Sequence, residues 1–503
     1  MKPKSSTPYA LLLGALALAA AGCSTFLDQP VLGQYEAGQF FTSDTNAQLA
    51  VNAAYVPLSF RDAASNLLWV LGDVASDDAV KGSNPGDQAD FESIDNFNIT
   101  PLNAAVEAQW KRDYDGIFRC NVVTDGLPET NTAVSPDVRK QAVGQARFLR
   151  AYYYFQLTTI YGAVPLRLKV ETPEELQSPA RAPADIYAQV ELDCQAAADA
   201  LPTAWPAADA GRATKGAALA LLSKTYLYEK KWALAAKTAQ AVRTLNVYEL
   251  LPVFADNFRQ ATKNNKEAIF SVQHTSGLSP GQGNNLNQWF APRPQNGYGF
   301  FFPTQSLVNN FEQSAAGVAD PRLDYTVGRK GHSFFGVPFD TSWTTTGYIS
   351  KKHLQPLSEI PSTIKGDGNL NFQAIRYAEV LLIEAEASNE AGDPAATLAA
   401  LNQVRKRARE SYLNDPTLPG TGTVPAGLLP DITTNDQSTL RDLIRRERRS
   451  EMATEFQRFF DLGRYGEAYA RQALADQPNF NYARNRYFPI PQSERDTNKQ
   501  LGL

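Results

Sequence analysis

The sequence predicts a mainly α-helical protein in which tetratricopeptide-like helix pairs form a scaffold, with a long irregular insert that contains short strands. The segment from Ala213 to Leu245 has the apolar spacing of two helices joined near Lys230, with small alanines at the crossing points. The same pattern recurs from Arg376 onwards, and alanine lets two antiparallel helices approach closely. Between these pairs, over about residues 270–370, loop-forming residues replace the helical periodicity.

The stretch Arg139–Leu166 predicts a helix that is buried on most sides. Apolar and aromatic residues occupy every face of its centre, and Gly162 is expected to end it. The consecutive aromatics Tyr152–Phe155 point through most of a helical turn, so they cannot form one flat platform for a ligand. They predict core packing against the two helix pairs. Arg147 and Arg150 are then expected to pair with acids on neighbouring helices.

Shorter patterns predict the remaining parts of the fold. Glu267–Gln273 has the composition of a strand. The run Phe300–Phe302 predicts core packing, because a strand buries at least alternate side chains. Lys81–Asp90 is rich in Asn, Pro, Gly and Asp, which predicts a loop.

The charged residues exclude some functions and leave others open. With 503 residues and a formal charge of −5, the chain has no basic pattern that favours nucleic acid as a partner. Three glutamates spaced four apart on one helical face, with arginines close by, predict a salt-bridge network rather than catalytic acids. These residues are Glu447, Glu451 and Glu455, with Arg445, Arg448, Arg449 and Arg458.

Candidate catalytic and metal motifs are weak, so no catalytic residue, metal ligand or cofactor is predicted. Gly277–Gly281 matches the nucleophile elbow of hydrolases, but Pro280 has no N–H for an oxyanion, which favours a turn. The three histidines lie far apart in the sequence. Cys120 and Cys194 predict buried free thiols, with a disulfide between them as the alternative.

The N-terminus has the three parts of a bacterial lipoprotein signal peptide, which we predict over residues 1–22. Lys2 and Lys4 form a basic start, and Ala10–Ala21 is an apolar core too short to span a membrane. Small residues precede Cys23, which predicts cleavage before Cys23, acylation of this residue (palmitate) and tethering of the mature chain to a membrane. The alternative is an ordinary secretory signal peptide with a chance cysteine.

Several motifs along the mature chain resemble the SusD/RagB family of outer-membrane nutrient-binding lipoproteins. They occur in the family's order and span nearly the whole mature chain: FLDQP, FFTSDTNAQLAVNAAY, WKRDYDGIFRCN, GQARFLRAYYYFQLTTIYGAVPL, RYAEVLLIEAEASNEAGD and ERRSEMATEFQRFFDLGRYG. The chain departs from the family pattern at Glu455–Arg458 and in its last residues, NKQLGL.

The resemblance implies one helical binding domain over residues 23–503 and no catalysis. It also implies a protein anchored by lipid to the cell outer membrane and facing outside. Such a protein captures oligosaccharide or polysaccharide and delivers it to a SusC-like TonB-dependent transporter. Two other functions stay open: a surface glycan-degrading enzyme, and a tetratricopeptide-type scaffold whose ligands are proteins. The distance between two carboxylates, which would indicate a glycosidase, is not readable from a sequence.

We predict the ligand site in the insert, because a sugar site needs exposed aromatic planes beside planar polar groups. The planes are Trp289, Tyr298, Trp343 and Tyr348, and the polar groups are Asn284, Arg293 and Asn296. Asn84 and Asp87 are added because the family also recruits ligand groups from this region. For each aromatic residue, packing in the core is the alternative.

Overall fold

The computed structural model of the protein describes residues 40–62, 66–279, 281–360, 366–418 and 420–501. The predicted signal peptide and Cys23 lie outside these residues, as does Pro280 of the nucleophile-elbow match. Within the described ranges, none of the helices combines the length and the apolar composition that a membrane span requires.

Helices make up most of the regular structure, which confirms the predicted fold class. In chain order they are α1 (Asp44–Tyr55), α2 (Ala89–Asp95), α3 (Ala104–Gly126), α4 (Pro136–Tyr161), α5 (Pro183–Ala200), α6 (Lys215–Tyr228), α7 (Trp232–Thr244), α8 (Leu286–Phe290), α9 (Gln305–Asn310), α10 (Arg322–Thr326), α11 (Tyr377–Glu390), α12 (Pro394–Asn414), α13 (Gln437–Met452), α14 (Arg458–Tyr465), α15 (Glu467–Ala473), α16 (Tyr482–Asn485) and α17 (Gln492–Thr497).

Short antiparallel strand pairs interrupt the helices, several of them in the predicted insert. The strands are β1 (Ala79–Gly82), β2 (Val164–Pro165), β3 (Ala180–Arg181), β4 (Ala268–Val272), β5 (Phe300–Pro303), β6 (Val327–Arg329), β7 (Ser333–Phe334), β8 (Val337–Pro338), β9 (Tyr348–Ser350) and β10 (Phe372–Arg376). They pair as β1–β5, β2–β3, β4–β10, β6–β9 and β7–β8. The strand predicted at Glu267–Gln273 is β4, and the predicted core run Phe300–Phe302 is the fully buried start of β5.

The two predicted helix pairs are present as α6–α7 and α11–α12, and α7 also packs against α11. Some of the alanines predicted at the crossing points are fully buried, including Ala235 and Ala239 of α7 and Ala378 of α11, whereas Ala395 and Ala399 of α12 are exposed. Alanine has only a methyl group to bury, so the helices approach closely at these points. The pairs are part of a scaffold that carries the insert between them.

The helix predicted to be buried on most sides is α4, and all four aromatics of Tyr152–Phe155 are buried. The hydroxyls of Tyr153 and Tyr154 each donate to a backbone carbonyl oxygen at 2.8 Å, so their polar ends are satisfied. Gly162 follows the helix with φ of 76°, as expected for its end. The predicted partners are partly wrong: α3 and α5, its neighbours in the sequence, pack along α4 far more than the helix pairs do.

One of the two arginines of α4 has the expected acid partner. Arg150 is buried and binds Asp193 of α5 through two hydrogen bonds of 2.8 Å. Arg147 is only half-buried, and its buried Nε has no hydrogen-bond partner among the described residues. The prediction of an acid partner is therefore confirmed for Arg150 alone.

The predicted salt-bridge network around the C-terminal glutamates is confirmed, and it is buried. Glu451 contacts Arg322 and Arg376, both at 3.0 Å, and also Arg407. Glu455 contacts Arg376 and Lys352, both at 2.7 Å. Because Arg322 and Lys352 belong to the insert, the network joins the insert to the C-terminal helices.

The partners in this network differ from the expected ones, because they come from α10, β10 and α12 rather than from the nearest residues in the sequence. The four neighbouring arginines make other contacts. Arg448 binds Glu379 and Asp461, Arg449 binds Asp77 and Asp78, Arg458 binds Asp77, and Arg445 lies over the ring of Tyr465.

Candidate ligand-binding surface

Lys81 holds the loop that follows β1 in a defined shape. Its Nζ donates to the carbonyl oxygens of Asn84 at 3.2 Å and Asp87 at 2.9 Å, and it pairs with Glu92 at 3.1 Å. The Lys81 side chain is buried, so its ammonium is satisfied inside the loop rather than by solvent. Its contacts leave the side chains of Asn84 and Asp87 at the surface.

The pairing of β1 with β5 brings the segment 293–299 next to this loop. The N–H of Ser83 donates to the carbonyl oxygen of Gly299 at 2.5 Å. Arg293 Nη2 donates to Asp87 Oδ2 at 2.6 Å and to Ser83 Oγ at 2.8 Å. Two loops that are 206 residues apart at the Arg293–Asp87 contact therefore form one surface.

We name this region the Arg293 surface: Ser83, Asn84, Asp87, Arg293, Asn296 and Tyr298. Of the residues predicted to bind ligand, the structure thus brings Asn84, Asp87, Arg293, Asn296 and Tyr298 into two adjoining loops. Asn296 is exposed with φ of 67°, a left-handed conformation that asparagine tolerates. Ser83 was not predicted; its left-handed backbone, with φ of 58°, has no signal in the residue type.

The Asp87 carboxylate is held in its ionised form. The Ser83 hydroxyl, the Asn84 N–H and the Arg293 guanidinium lower the pKa of Asp87 below its usual value. The exposed fractions of the Arg293 and Asp87 side chains are 49% and 40%, so both groups remain accessible. A paired guanidinium and carboxylate offer donors and acceptors to neutral hydroxyl groups without a large net charge.

Tyr298 is the exposed aromatic plane of this surface, whereas Trp289 is not exposed. The Tyr298 side chain is 42% exposed, and its ring stands edge-on to Trp289 with 5.7 Å between centroids. Trp289 is only 7% exposed, because it packs among Trp69, Phe91 and Phe300. The expectation that Trp289 presents an aromatic plane to a ligand is therefore wrong. Trp289 instead packs against the ring of Tyr298 from the buried side.

Trp343 and Tyr348 belong to a different part of the insert. Trp343 is half-buried and packs on Phe334 and Phe339, each at 5.6 Å between ring centroids. The half-buried Tyr348 in β9 donates its hydroxyl to Gln305 Oε1 at 2.6 Å. Gln305 follows the end of β5, whereas the Arg293 surface lies at the start of that strand, so Tyr348 is at the opposite end of β5.

Asn284 is also not available as a surface group. Its side chain is buried, its Nδ2 donates to the carbonyl oxygen of Leu370 at 2.9 Å, and its Oδ1 accepts from the N–H of Leu286 at 3.0 Å. Asn284 thus links the start of α8 to the chain before β10. Its predicted position at an exposed site is wrong, because its amide satisfies backbone groups of the insert.

Histidine and cysteine side chains, which often take part in catalysis or metal binding, are mostly buried in this protein. His274 and His353 are buried, and burial lowers the pKa of each to about 4, which keeps both imidazoles neutral near pH 7. Cys120 and Cys194 are both buried and are free thiols. In the part of the chain that the structure describes, no group of three or more His, Cys, Asp or Glu could hold a metal ion.

Two family models match consecutive parts of the chain. The model described as the SusD family matches residues 266–502, and the model described as "Starch-binding associating with outer membrane" matches residues 38–227. SusD-like protein P2 from Formosa agariphila is 26% identical over 525 residues, which cover 98% of this chain and 98% of that protein.

Solved structures agree with these matches. A SusD-like carbohydrate binding protein from Bacteroides fragilis is 26% identical with a TM-score of 0.76, and the match covers 92% of this chain and 99% of that one. A laminarin binding SusD-like protein is 28% identical with a TM-score of 0.74, over 92% of this chain and 99% of that one. Sequence motifs, family models and shared fold agree, and the chain belongs to the SusD/RagB family.

Proposed function

We propose that this protein binds an oligosaccharide or polysaccharide at the Arg293 surface, without catalysis. The observation that carries the proposal is the exposed ring of Tyr298 beside the paired Arg293 and Asp87. The apolar C–H face of a sugar packs on an aromatic ring, while its hydroxyl groups exchange hydrogen bonds with planar charged groups. Asn84 and Asn296 extend the polar border of the same surface.

The relatives support a carbohydrate as the ligand class. One family model that matches the chain is described as starch-binding, and one structural relative is a laminarin binding protein. Starch and laminarin differ in linkage but both present glucose rings, so both serve as first probes.

We further propose that residues 23–503 form one binding domain, tethered through acylated Cys23 to the outer membrane on its outer side, and that it passes glycan to a SusC-like TonB-dependent transporter. The family description of association with the outer membrane supports the location. Incorporation of labelled palmitate and recovery in the outer-membrane fraction test the anchor, and both are expected to be lost in Cys23→Ala. Co-purification with a TonB-dependent transporter from detergent-solubilised membranes tests the partner.

A glycan array that includes laminarin and starch oligosaccharides, followed by calorimetry, tests ligand binding. Tyr298→Ala and Arg293→Ala are each expected to weaken binding roughly tenfold, about 1.4 kcal/mol. Phe118→Ala is the matched control, because Phe118 is a 52% exposed aromatic on α3, a helix that contributes no residue to the Arg293 surface. If both variants bind as tightly as the wild type, the site is wrong.

The two alternative functions give different results in the same assays. Release of short sugars from the bound polysaccharide over a long incubation would indicate a glycan-degrading enzyme. A protein that associates with a membrane β-barrel but binds no glycan on the array would be an assembly scaffold.

A further inference from the structure

A second concave region lies along the loop between α5 and α6, remote in sequence from the Arg293 surface. Two cavities, of about 330 Å³ and about 180 Å³, adjoin this loop. The larger is bordered by Gln141 and Gln145 of α4, and the smaller by Tyr248. Trp205 and Arg212 line both cavities, and we name the region the Trp205 pocket: Gln141, Gln145, Trp205, Asp209 and Arg212.

The indole of Trp205 is held in place by a chain of hydrogen bonds. Its Nε1 donates to the carbonyl oxygen of Ala213 at 2.7 Å, and the N–H of Ala213 donates to the Tyr55 hydroxyl at 2.9 Å. Tyr55 in turn donates to Gln145 Oε1 at 3.0 Å. The chain connects the loop to α1 and α4, so the aromatic plane is positioned before any ligand arrives.

Planar polar groups stand beside this aromatic plane. Arg212 Nε donates to Asp209 Oδ1 at 2.7 Å, and Arg212 Nη1 lies 3.3 Å from Gln145 Oε1. The Asp209 side chain is 40% exposed, so its carboxylate can accept further hydrogen bonds. Because Asp209 neutralises the charge of Arg212, the pocket favours a neutral ligand rich in hydroxyl groups over an anion.

The loop between α5 and α6 requires a glycine at position 211. Gly211 has φ of 92°, and a Cβ at this position would lie 2.3 Å from Cγ of Gln273. Only glycine adopts this conformation at this close approach. Gln273, which follows β4, therefore leaves no room for a side chain at this position, and the loop that carries Arg212 lies close to the end of β4.

We propose that the Trp205 pocket is a second saccharide-binding site, which takes a short oligosaccharide or the end of a glycan chain. The inference rests on the proposed glycan-binding function. An aromatic plane, a carboxylate and a guanidinium occur together in both places, but the larger cavity, at about 330 Å³, has the size of a small-molecule pocket. The Arg293 surface, built from two loop edges, binds the interior of a longer chain.

The test uses the purified protein with laminaritriose and maltotriose as probes, and laminarin and starch as the long-chain ligands. In a Tyr298→Ala background, whichever of the two trisaccharides binds is expected to change the tryptophan fluorescence of the protein. We expect this change to be lost in the Tyr298→Ala/Trp205→Phe double variant. Asp209→Ala is expected to weaken trisaccharide binding at least tenfold in the same background. Because Asp209 is partly exposed, this variant tests the pocket without removing a packed side chain.

The outcomes separate the two proposals. If laminarin or starch binds the wild type, but Tyr298→Ala abolishes all trisaccharide binding, the second site is overturned and the proposed function stands. If Trp205→Phe and Asp209→Ala leave the trisaccharide affinity and fluorescence change of the Tyr298→Ala protein unaltered, the pocket is likewise overturned. If the wild type binds neither the two trisaccharides nor laminarin nor starch, glucan binding is overturned for both the Arg293 surface and the Trp205 pocket. Phe118→Ala in the same background serves as the control.

Discussion

Arg150 and Asp193 form a bidentate ion pair between α4 and α5, with both donor–acceptor distances at 2.8 Å and both side chains buried. Arg150 also donates to Asn121 Oδ1 of α3 at 2.9 Å, so one guanidinium joins three helices. The carboxylate of Asp193 raises the pKa of Arg150 against the opposing effect of burial. The helix α4, whose centre is buried on most sides, is thus also held to its neighbours by a charge pair.

Asp193→Ala is expected to lower the free energy of unfolding by roughly 3–5 kcal/mol, because it leaves the Arg150 charge buried without its partner. Urea denaturation followed by circular dichroism measures the change. Asp199→Ala is the matched control, since Asp199 is exposed on the same helix, and we expect a change within about 0.5 kcal/mol. Equal losses in the two variants would contradict the role of the pair.

The rings of Trp289 and Tyr298 are in contact, but truncating Trp289 is expected to lower stability, whereas truncating Tyr298 is expected to weaken glycan binding. Trp289→Ala removes a buried indole from an aromatic cluster, which should cost roughly 3–5 kcal/mol of unfolding free energy. Tyr298→Ala removes an exposed ring and should change stability by about 1 kcal/mol or less while weakening glycan binding. Urea melts beside calorimetric titrations separate the effects. A stable Trp289→Ala protein with weakened binding would contradict the structural role of Trp289.

Glu451→Gln is expected to destabilise the protein by roughly 3–5 kcal/mol, because Glu451 is fully buried and contacts three arginines. These positive charges hold the pKa of Glu451 well below its usual value, so the carboxylate is charged throughout the neutral range. Glu467→Gln is the control, since its pair with Arg471 is more than half exposed and such pairs contribute at most about 1 kcal/mol. Denaturation in urea measures both; similar values would rule out a special role for the network.

The buried histidines are expected to make the protein less stable in acid. Their folded pKa of about 4 lies below the usual 6.5, so below pH 6.5 the unfolded chain binds protons that the folded protein does not. Each histidine should therefore remove roughly 3 kcal/mol of unfolding free energy between pH 6.5 and pH 4. Buried acids such as Asp73, whose pKa burial raises to about 8, act in the opposite direction.

Because other buried groups also titrate, the effect of one histidine is measured by comparing the pH dependence of stability in the wild type and in a variant that lacks it. Relative to His353→Gln, the wild type should lose stability as the pH falls from 7 to 4 in urea melts at each pH. Glutamine retains a donor for the carbonyl oxygen of Thr454, which His353 contacts at 2.7 Å. His332→Gln is the control: partial burial also lowers the pKa of His332, but its side chain is 43% exposed, so this variant should differ from the wild type less than His353→Gln does.

Local patterns predicted the scaffold well. The spacing of alanines and leucines predicted α6–α7 and α11–α12, and the apolar surface of Tyr152–Phe155 predicted the burial of α4. These features depend on residues within a few turns of each other, which is the range over which periodicity carries information.

The candidate site was only partly predictable. Loop composition indicated aromatic and amide residues in the insert, but it does not tell which face of the chain meets solvent. Trp289 lies shortly before Arg293, yet the short helix α8 turns it inward while Arg293 remains exposed. Asn284 precedes this helix and is buried because its amide bonds to backbone groups. The Trp205 pocket was not predicted, because its residues come from α4 and a distant loop.

The sequence by itself determined the helical scaffold, the family and the position of the irregular insert, because each depends on local spacing or on motifs in order. Only the tertiary structure decided that Asp87 meets Arg293, through the pairing of β1 with β5, and that Glu451 draws its arginines from three distant elements. The physical reason is that burial and ion pairing are set by which distant segments pack together. No local pattern in a chain specifies that choice.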